Sequence, residues 1–371
     1  MAEVGWMQDS SVAEGVAAAE THLKAGRPLE AVQTCRAILQ RQPAQFDAHY
    51  LLGLALLQAG QVKEGEQWLN KACALEPAIL DCAHMDALLR QRGQYSAFRS
   101  AVQRYREFKA LQSTDAFIIS YPKCGRTWLR LMLGKFLQLQ FGLAEDTPLL
   151  ELHALTSRLP GLPKVELTHD DHPQWKGAAG IERSKTRYRG KKVVFLARDP
   201  RDALVSYYFE YARRRSKQLA NDAGFNGTVS EFVRHPIGGA DSLTTFYNVW
   251  ADQRAVPAAF QLLRYEDLHA APVPTLRGLL EFLEFPHADD AMLERVVSYC
   301  SFQNMQRMER DNALNSIRLA AADPNDPDSF KVRKGKVGGY GDYLTADDLA
   351  YVNAKTAALD DLYRDYKQSP L

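Results

Sequence analysis

An α/β fold is predicted for most of the chain, preceded by an all-α segment. Short apolar runs at 115–120, which is β-branched, and 192–197 read as buried strands, and 165–168 and 260–264 as further strands. Helical periodicity follows two of them, over 128–140 and 200–215. The first 112 residues show only helical periodicity, with glycine and proline recurring at a fixed interval. Strands alternating with helices imply a parallel sheet covered on both faces, with right-handed crossovers. The expected division is 1–112 and 113–371.

In the N-terminal segment, Gly26 and Gly60 share the spacing of Pro43 and Pro77, a period of about 34 residues. Leu52, Gly53, Leu56, Gly65, Leu69 and Ala72 occupy the small and large packing positions of one copy; Ala19, Ala31 and Cys35 fall in register in a degenerate first copy. A third copy is expected from near Ala83, turning at Gly93 and running through Phe108. The pattern resembles the tetratricopeptide repeat, a helix-turn-helix unit that buries its apolar face only against stacked neighbours. That resemblance implies recruitment of a protein partner, self-association, or bracing of the fold. An unrelated helical bundle is the plain alternative.

The next segment, Asp115-Ala-Phe-Ile-Ile-Ser-Tyr-Pro-Lys-Cys-Gly-Arg-Thr-Trp-Leu-Arg130, reads as strand, turn and helix. Pro122 and Gly125 punctuate the turn; Leu129, Met132, Leu133 and Phe136 set the helical face. Such a turn aims backbone N–H groups and the positive helix end at one point, where phosphate binds. Lys123, Arg126 and Thr127 add charge and a hydroxyl, making an anion cradle. The nucleotide motif G-x-x-x-x-G-K-[ST] is not matched, because Lys123 precedes Gly125 and Ser120 stands where the first glycine would be. The order Tyr-Pro-Lys-Cys-Gly-Arg-Thr-Trp instead resembles the 5′-phosphosulfate loop of the cytosolic-type sulfotransferases, which use 3′-phosphoadenosine 5′-phosphosulfate (PAPS).

Two further stretches carry the same resemblance. Lys192 to Ser206 (KVVFLARDPRDALVS) is similar to the family's 3′-phosphate loop, and Val332-Arg-Lys-Gly-Lys-Val-Gly338 to its closing R-K-G element. The resemblance implies a P-loop-like sheet and a cofactor site of Lys123, Cys124, Gly125, Arg126, Thr127 and Trp128 at the 5′ end. Arg198, Ser206, Arg333, Lys334 and Gly335 would hold the 3′-phosphate, a guanidinium being suited to bidentate contact with phosphate oxygens. Phe260-Gln-Leu-Leu-Arg-Tyr-Glu-Asp267 and Ser298-Tyr-Cys-Ser-Phe302 are similar to two weaker elements, which implies Tyr265 and Phe302, with Trp128, around the adenine. Each aromatic taken singly also reads as core, and 332–338 as a solvated loop.

Sulfuryl transfer needs positioning, charge neutralisation and a base. By the resemblance, Lys123 neutralises the departing phosphosulfate oxygen. Thr168-His169, after the strand at 165–168, matches the family's threonine-histidine pair and makes His169 the base; Asp170, Asp171 and His172 are rivals. Leu167 stands where many cytosolic relatives have lysine, and Arg126 is the residue at hand to replace that charge. No metal is implied.

Composition fits an intracellular enzyme: 46% apolar, 25% charged, formal charge +1. That balance argues against general nucleic-acid binding. Cys35, Cys73, Cys82, Cys124 and Cys300 are odd in number and lack metal-ligand spacing, suggesting reduced thiols. Cys124, beside Lys123, reads as a hydroxyl substitute, although a lowered thiol pKa is conceivable there. No secretory leader or membrane-spanning run is evident, and a cytoplasmic location is expected. The segment Asp311 to Lys331 reads as a mobile loop able to close over the acceptor. The expected activity moves a sulfuryl group from PAPS to a hydroxyl acceptor (small molecule, lipid or glycan), leaving 3′-phosphoadenosine 5′-phosphate (PAP). A nucleotide kinase, or a decayed transferase acting as a repeat-based interaction module, are the competing readings.

Overall fold

The computed structural model describes residues 10–75, 111, 113–215 and 225–367. The chain divides into two compact units, Met1–Ser113 and Thr114–Leu371. The predicted third repeat copy lies outside the described residues.

The first unit is built from helices α1 (Ser10–Lys24), α2 (Pro28–Arg41), α3 (Phe46–Gln58) and α4 (Val62–Leu75). The repeat is visible in how α1 and α3 end. Gly26 and Gly60 both take left-handed backbone, with φ of 70° and 79°. After α1, the N–H groups of Gly26 and Arg27 donate to the carbonyls of Leu23 and His22; after α3, those of Gly60 and Gln61 donate to Leu57 and Leu56. A left-handed residue closes a helix this way by satisfying its last carbonyls, and glycine does it without a Cβ penalty. Gly53 and Gly65 let α3 and α4 touch: a Cβ on Gly53 would lie 2.5 Å from the Leu69 side chain, and one on Gly65 2.9 Å from the Gly53 carbonyl. Ala19, Ala31, Cys35, Ala48, Leu52, Leu56, Leu69 and Ala72 are fully buried around these contacts.

The second unit is the parallel sheet. Strands β1 (Ala116–Ile119), β2 (Val165–Thr168), β3 (Lys192–Ala197) and β4 (Ala259–Arg264) lie in the order β2-β1-β3-β4. β1 is central, with Ile119 opposite both Thr168 and Phe195. From β1 the chain moves to β2 on one side, then to β3 on the other. That reversal opens a crevice beyond the C-terminal ends of β1 and β3, where open α/β sheets take ligands. β1 and β3 are buried almost throughout, as strands covered on both faces must be. Phe195 anchors the core among Phe246, Tyr247, Trp250 and Tyr363, at ring-centroid distances of 5.7, 5.3, 6.0 and 5.9 Å.

Two boundaries differ from expectation. The helix after β1, α5 (Arg126–Gln140), starts two residues earlier than the apolar pattern, because its first turn is polar and faces the crevice. The expected helix 200–215 is α-helical only over Pro200–Phe209; Glu210–Arg215 is wound as a π-helix. The segment 311–331 contains short 3₁₀ turns at Ile317–Leu319 and Pro327–Ser329. It is tied down: Arg318 pairs with Glu151, and the Glu309 carboxylate accepts from the N–H groups of Lys331 and Val332.

Candidate active site

A cavity of about 660 Å³ opens at the crevice and is lined from four parts of the chain. Gly125 makes the first wall possible. It is left-handed (φ 94°), and a Cβ there would sit 2.7 Å from the Tyr265 ring. Lys123 is also left-handed, at φ 68°. α5 then begins with no side-chain cap and no acid in its first turn, so its N–H groups and positive end are left facing outward. Lys123, Gly125, Arg126, Thr127 and Trp128 all line the cavity.

Cys124 does not. Its Sγ is fully buried, 3.5 Å from the Tyr247 hydroxyl and 3.8 Å from the Pro122 carbonyl. Burial pushes the thiol up to about 12, opposite to the activated thiol that its basic neighbours suggested. Neither a hydroxyl-like ligand role nor a thiolate fits that side chain.

The helix following β3 turns in at Asp199, whose carboxylate caps the Arg201 N–H and takes the Arg201 guanidinium at 2.8 and 2.6 Å. Arg198, at the strand end, ties the walls together. Its guanidinium donates to the carbonyls of Lys123 and Lys336, both at 3.1 Å, and lies 4.4 Å over the Tyr265 ring. Its Nε is buried with no hydrogen-bond partner. An orphaned donor in a cavity of this kind calls for an acceptor. Ser206 lines the same wall.

The closing segment is held by Asp202, which accepts from the N–H groups of Gly338 and Tyr340 at 2.8 and 2.9 Å. Arg333 lies 3.9 Å over Phe209 and bonds the Tyr343 hydroxyl. Lys334 pairs with Asp342 at 3.2 Å. Gly335 is left-handed, and a Cβ there would meet Phe302 at 2.5 Å. Trp128, Tyr265 and His269 form an aromatic cluster, with Trp128 centroids 5.7 Å from Tyr265 and 6.4 Å from His269. Trp128 Nε1 donates to the Cys300 carbonyl at 2.9 Å. Glu266 braces the fold, accepting from the Asp199 N–H and the Tyr366 hydroxyl.

His169 enters the cavity from the end of β2. Its Nδ1 lies 2.8 Å from the Ser120 carbonyl. A carbonyl only accepts, so Nδ1 carries the proton and the Nε2 lone pair is free. Burial, then the nearby Arg126 charge, hold the imidazole well below its ordinary range, so it is neutral at pH 7. Of the rival bases, the two carboxylates are paired with lysines. Asp170 is buried against Lys185 (2.7 Å), Tyr188 and Trp250; Asp171 pairs with Lys176; His172 stacks on Trp175 at 4.7 Å. Asp170, Asp171 and His172 are all left-handed, with φ of 47°, 66° and 52°. Such backbone costs on the order of 1 kcal/mol or more per residue and concentrates at functional sites.

Sequence reasoning missed Glu210, which pairs with Lys123 at 3.0 Å inside the cavity, and also Gln174, His269 and Lys331 on the lining. Only the i+4 offset of Glu210 from Ser206 on a predicted helix pointed toward that wall.

A sequence profile described as sulfotransferase domain matches residues 113–361, and a tetratricopeptide repeat profile matches 16–78. Cytosolic sulfotransferase 17 of Arabidopsis thaliana is 25% identical over 264 residues, covering 66% of this chain and 74% of that protein. Flavonol 3-sulfotransferase of Flaveria bidentis is 26% identical over 254 residues, covering 64% and 78%. A crystal structure of mouse sulfotransferase SULT7A1 complexed with PAP aligns with a TM-score of 0.46 at 19% identity, covering 69% of this chain and 88% of that one. Among the described residues, no helix is long and apolar enough to cross a membrane. With an N-terminal tetratricopeptide repeat and a catalytic unit of this make, the chain belongs to the sulfotransferase family and is an enzyme of sulfuryl transfer.

Proposed function

We propose that the enzyme transfers the sulfuryl group of PAPS to a hydroxyl acceptor, with His169 as general base. One observation carries the reading: Arg198, whose buried Nε has no hydrogen-bond partner, lines the same cavity as the uncapped N-terminus of α5. Two separate anion sites joined by an aromatic cluster suit an adenosine phosphorylated at both ends.

The residues present fit that donor. Gly125 and Gly335 keep Cβ atoms out where Tyr265 and Phe302 come close. Lys123, Gly125, Arg126, Thr127 and the Cys124 backbone would hold the 5′ end; Arg198, Ser206, Arg333, Lys334 and Gly335 the 3′-phosphate; Trp128, Tyr265 and Phe302 the adenine. When bound, PAPS supplies the activated sulfuryl group and leaves as PAP. Lys123 must exchange Glu210 for the phosphosulfate, neutralising the oxygen that departs. His169, its Nδ1–H fixed on Ser120, takes the acceptor hydroxyl proton at Nε2.

The names of the curated relatives, among them a flavonol 3-sulfotransferase, favour a small hydroxylated acceptor here over a glycan or lipid. A cytoplasmic setting suits the free thiols Cys35, Cys124 and Cys300. The repeat unit is proposed to engage a protein partner or a second copy of the chain. Incubating the enzyme with ³⁵S-labelled PAPS and mixtures of phenols, alcohols, sterols and saccharides tests the reading. Labelled product that needs His169 and Lys123 supports it; no transfer to any hydroxyl, with transfer to amines instead, overturns it.

A further inference from the structure

The left-handed run directly after His169 is held from outside the cavity. Asp170 is buried to 3% exposure and Lys185 completely. Its carboxylate meets Lys185 Nζ at 2.7 Å and accepts from the Tyr188 hydroxyl at 2.7 Å and from Trp250 Nε1 at 3.1 Å. Lys185 precedes and Tyr188 ends the 3₁₀ turn Thr186–Tyr188, and Trp250 comes from the helix Ala240–Asp252. The Asp170 N–H donates to Thr168 Oγ1 at 3.1 Å, closing the turn back onto β2. Asp171 and His172, the remaining left-handed residues, are held by Lys176 and Trp175.

A buried ion pair adds little stability over apolar side chains of similar volume, yet it accepts only one geometry. Three consecutive non-glycine residues in left-handed backbone persist only where their surroundings over-determine them. Among the described residues, four of the seven non-glycine residues with positive φ are Lys123, which lines the cavity, and this run, which directly follows the cavity-lining His169. The strain is therefore gathered at the site.

We propose that Asp170 is a positioning residue for the transfer: clamped by Lys185, Tyr188 and Trp250, it fixes the run 170–172 and so the angle at which the His169 imidazole leaves β2, keeping Nδ1 on the Ser120 carbonyl and Nε2 in the cavity. Asp170 does not touch the reacting atoms. The inference deepens the reading of His169 as base and rests on it.

The test separates positioning from stability. Asp170→Asn leaves Lys185 buried without its counter-charge and lowers Tm. The double variant Asp170→Asn/Lys185→Met removes that charge as well and recovers most of the loss. The full chain, labelled with ¹⁵N-histidine and saturated with PAP, is followed by NMR, with His169→Gln identifying the His169 signal. In the wild type His169 shows one tautomer with a protonated Nδ1. In the double variant that signal is expected to broaden or mix tautomers, with PAP affinity kept. Turnover of PAPS with 2-naphthol should fall about tenfold to 10²-fold, in kcat and not in KM. If the double variant regains the single tautomer and wild-type kcat together with its Tm, Asp170 is structural only and the proposal is overturned. If His169→Gln retains wild-type turnover, the base assignment fails separately, while the tautomer still decides whether Asp170 orients the ring.

Discussion

The two strand-turn-helix connections at the crevice share a topology and differ in how they use their helix ends. After β1, the helix starts at an uncapped, left-handed Gly125 with no acid in its first turn. After β3, Asp199 caps its own helix and holds Arg201, while Asp202 is taken up by the closing segment. The first loop leaves its N–H groups for a ligand. The second caps the Arg201 N–H with its own Asp199 and presents a side chain, Arg198, on the cavity lining. On the proposed reading, the same local fold yields a backbone anion site and a guanidinium anion site. The difference lies in two acids and one glycine.

The largest effect bears on the residue that follows β2, on the other side of β1 from the second loop. His169→Ala should lower kcat by about 10² to 10⁴, with PAP affinity unchanged. Because burial and Arg126 hold the imidazole well below its ordinary range, the neutral, active form extends to lower pH than a free histidine would allow. The acid limb of kcat should therefore lie well below pH 6.5, and a limb at 6.5 or above would show a base in another environment. Lys123→Ala comes next. It should lower kcat by about 10² to 10³ and also weaken PAP, since its charge serves the bound anion as well as the leaving oxygen. A loss in kcat alone would mean that Lys123 stays on Glu210 until the transfer itself.

The second loop should respond differently. Asp199→Ala removes a cap and strands Arg201, so Tm should drop by an amount reflecting about 1 kcal/mol or more. Nucleotide affinity should change little, because no ligand depends on that helix end; a large loss of PAP binding would erase the contrast between the loops. Cys124→Ser is the smallest. With the thiol turned to Tyr247, activity should stay within about twofold.

Much of this was legible in the sequence, for identifiable reasons. β1 and β3 announce themselves as short β-branched runs because both sheet faces are covered there, and Gly26 and Gly60 mark helix ends because only glycine takes left-handed backbone freely. The anion cradle shows in residue order alone, since backbone N–H groups need only a turn and a helix start. Which way a side chain points was not legible. Cys124 faces the core, and Glu210 meets Lys123 across 87 positions, a contact set by packing of the second helix on the first loop. The Asp170 clamp was also hidden: Lys185, Tyr188 and Trp250 carry no local pattern and converge only in three dimensions. For the same reason the partners of Asp170 and His172, which the sequence offers as rival bases, were not legible.

The central claim is that the two loops grip one molecule at two phosphates, and thermal unfolding with nucleotides tests it most directly. PAP should raise Tm strongly in the wild type and adenosine 5′-monophosphate far less, as expected of ligands that bind only the native state with different affinity. Arg198→Ala should cost the PAP complex about 2 kcal/mol or more and bring its shift down to that of the monophosphate. Equal shifts from the two nucleotides in the wild type, or a PAP advantage that survives Arg198→Ala, would contradict the account.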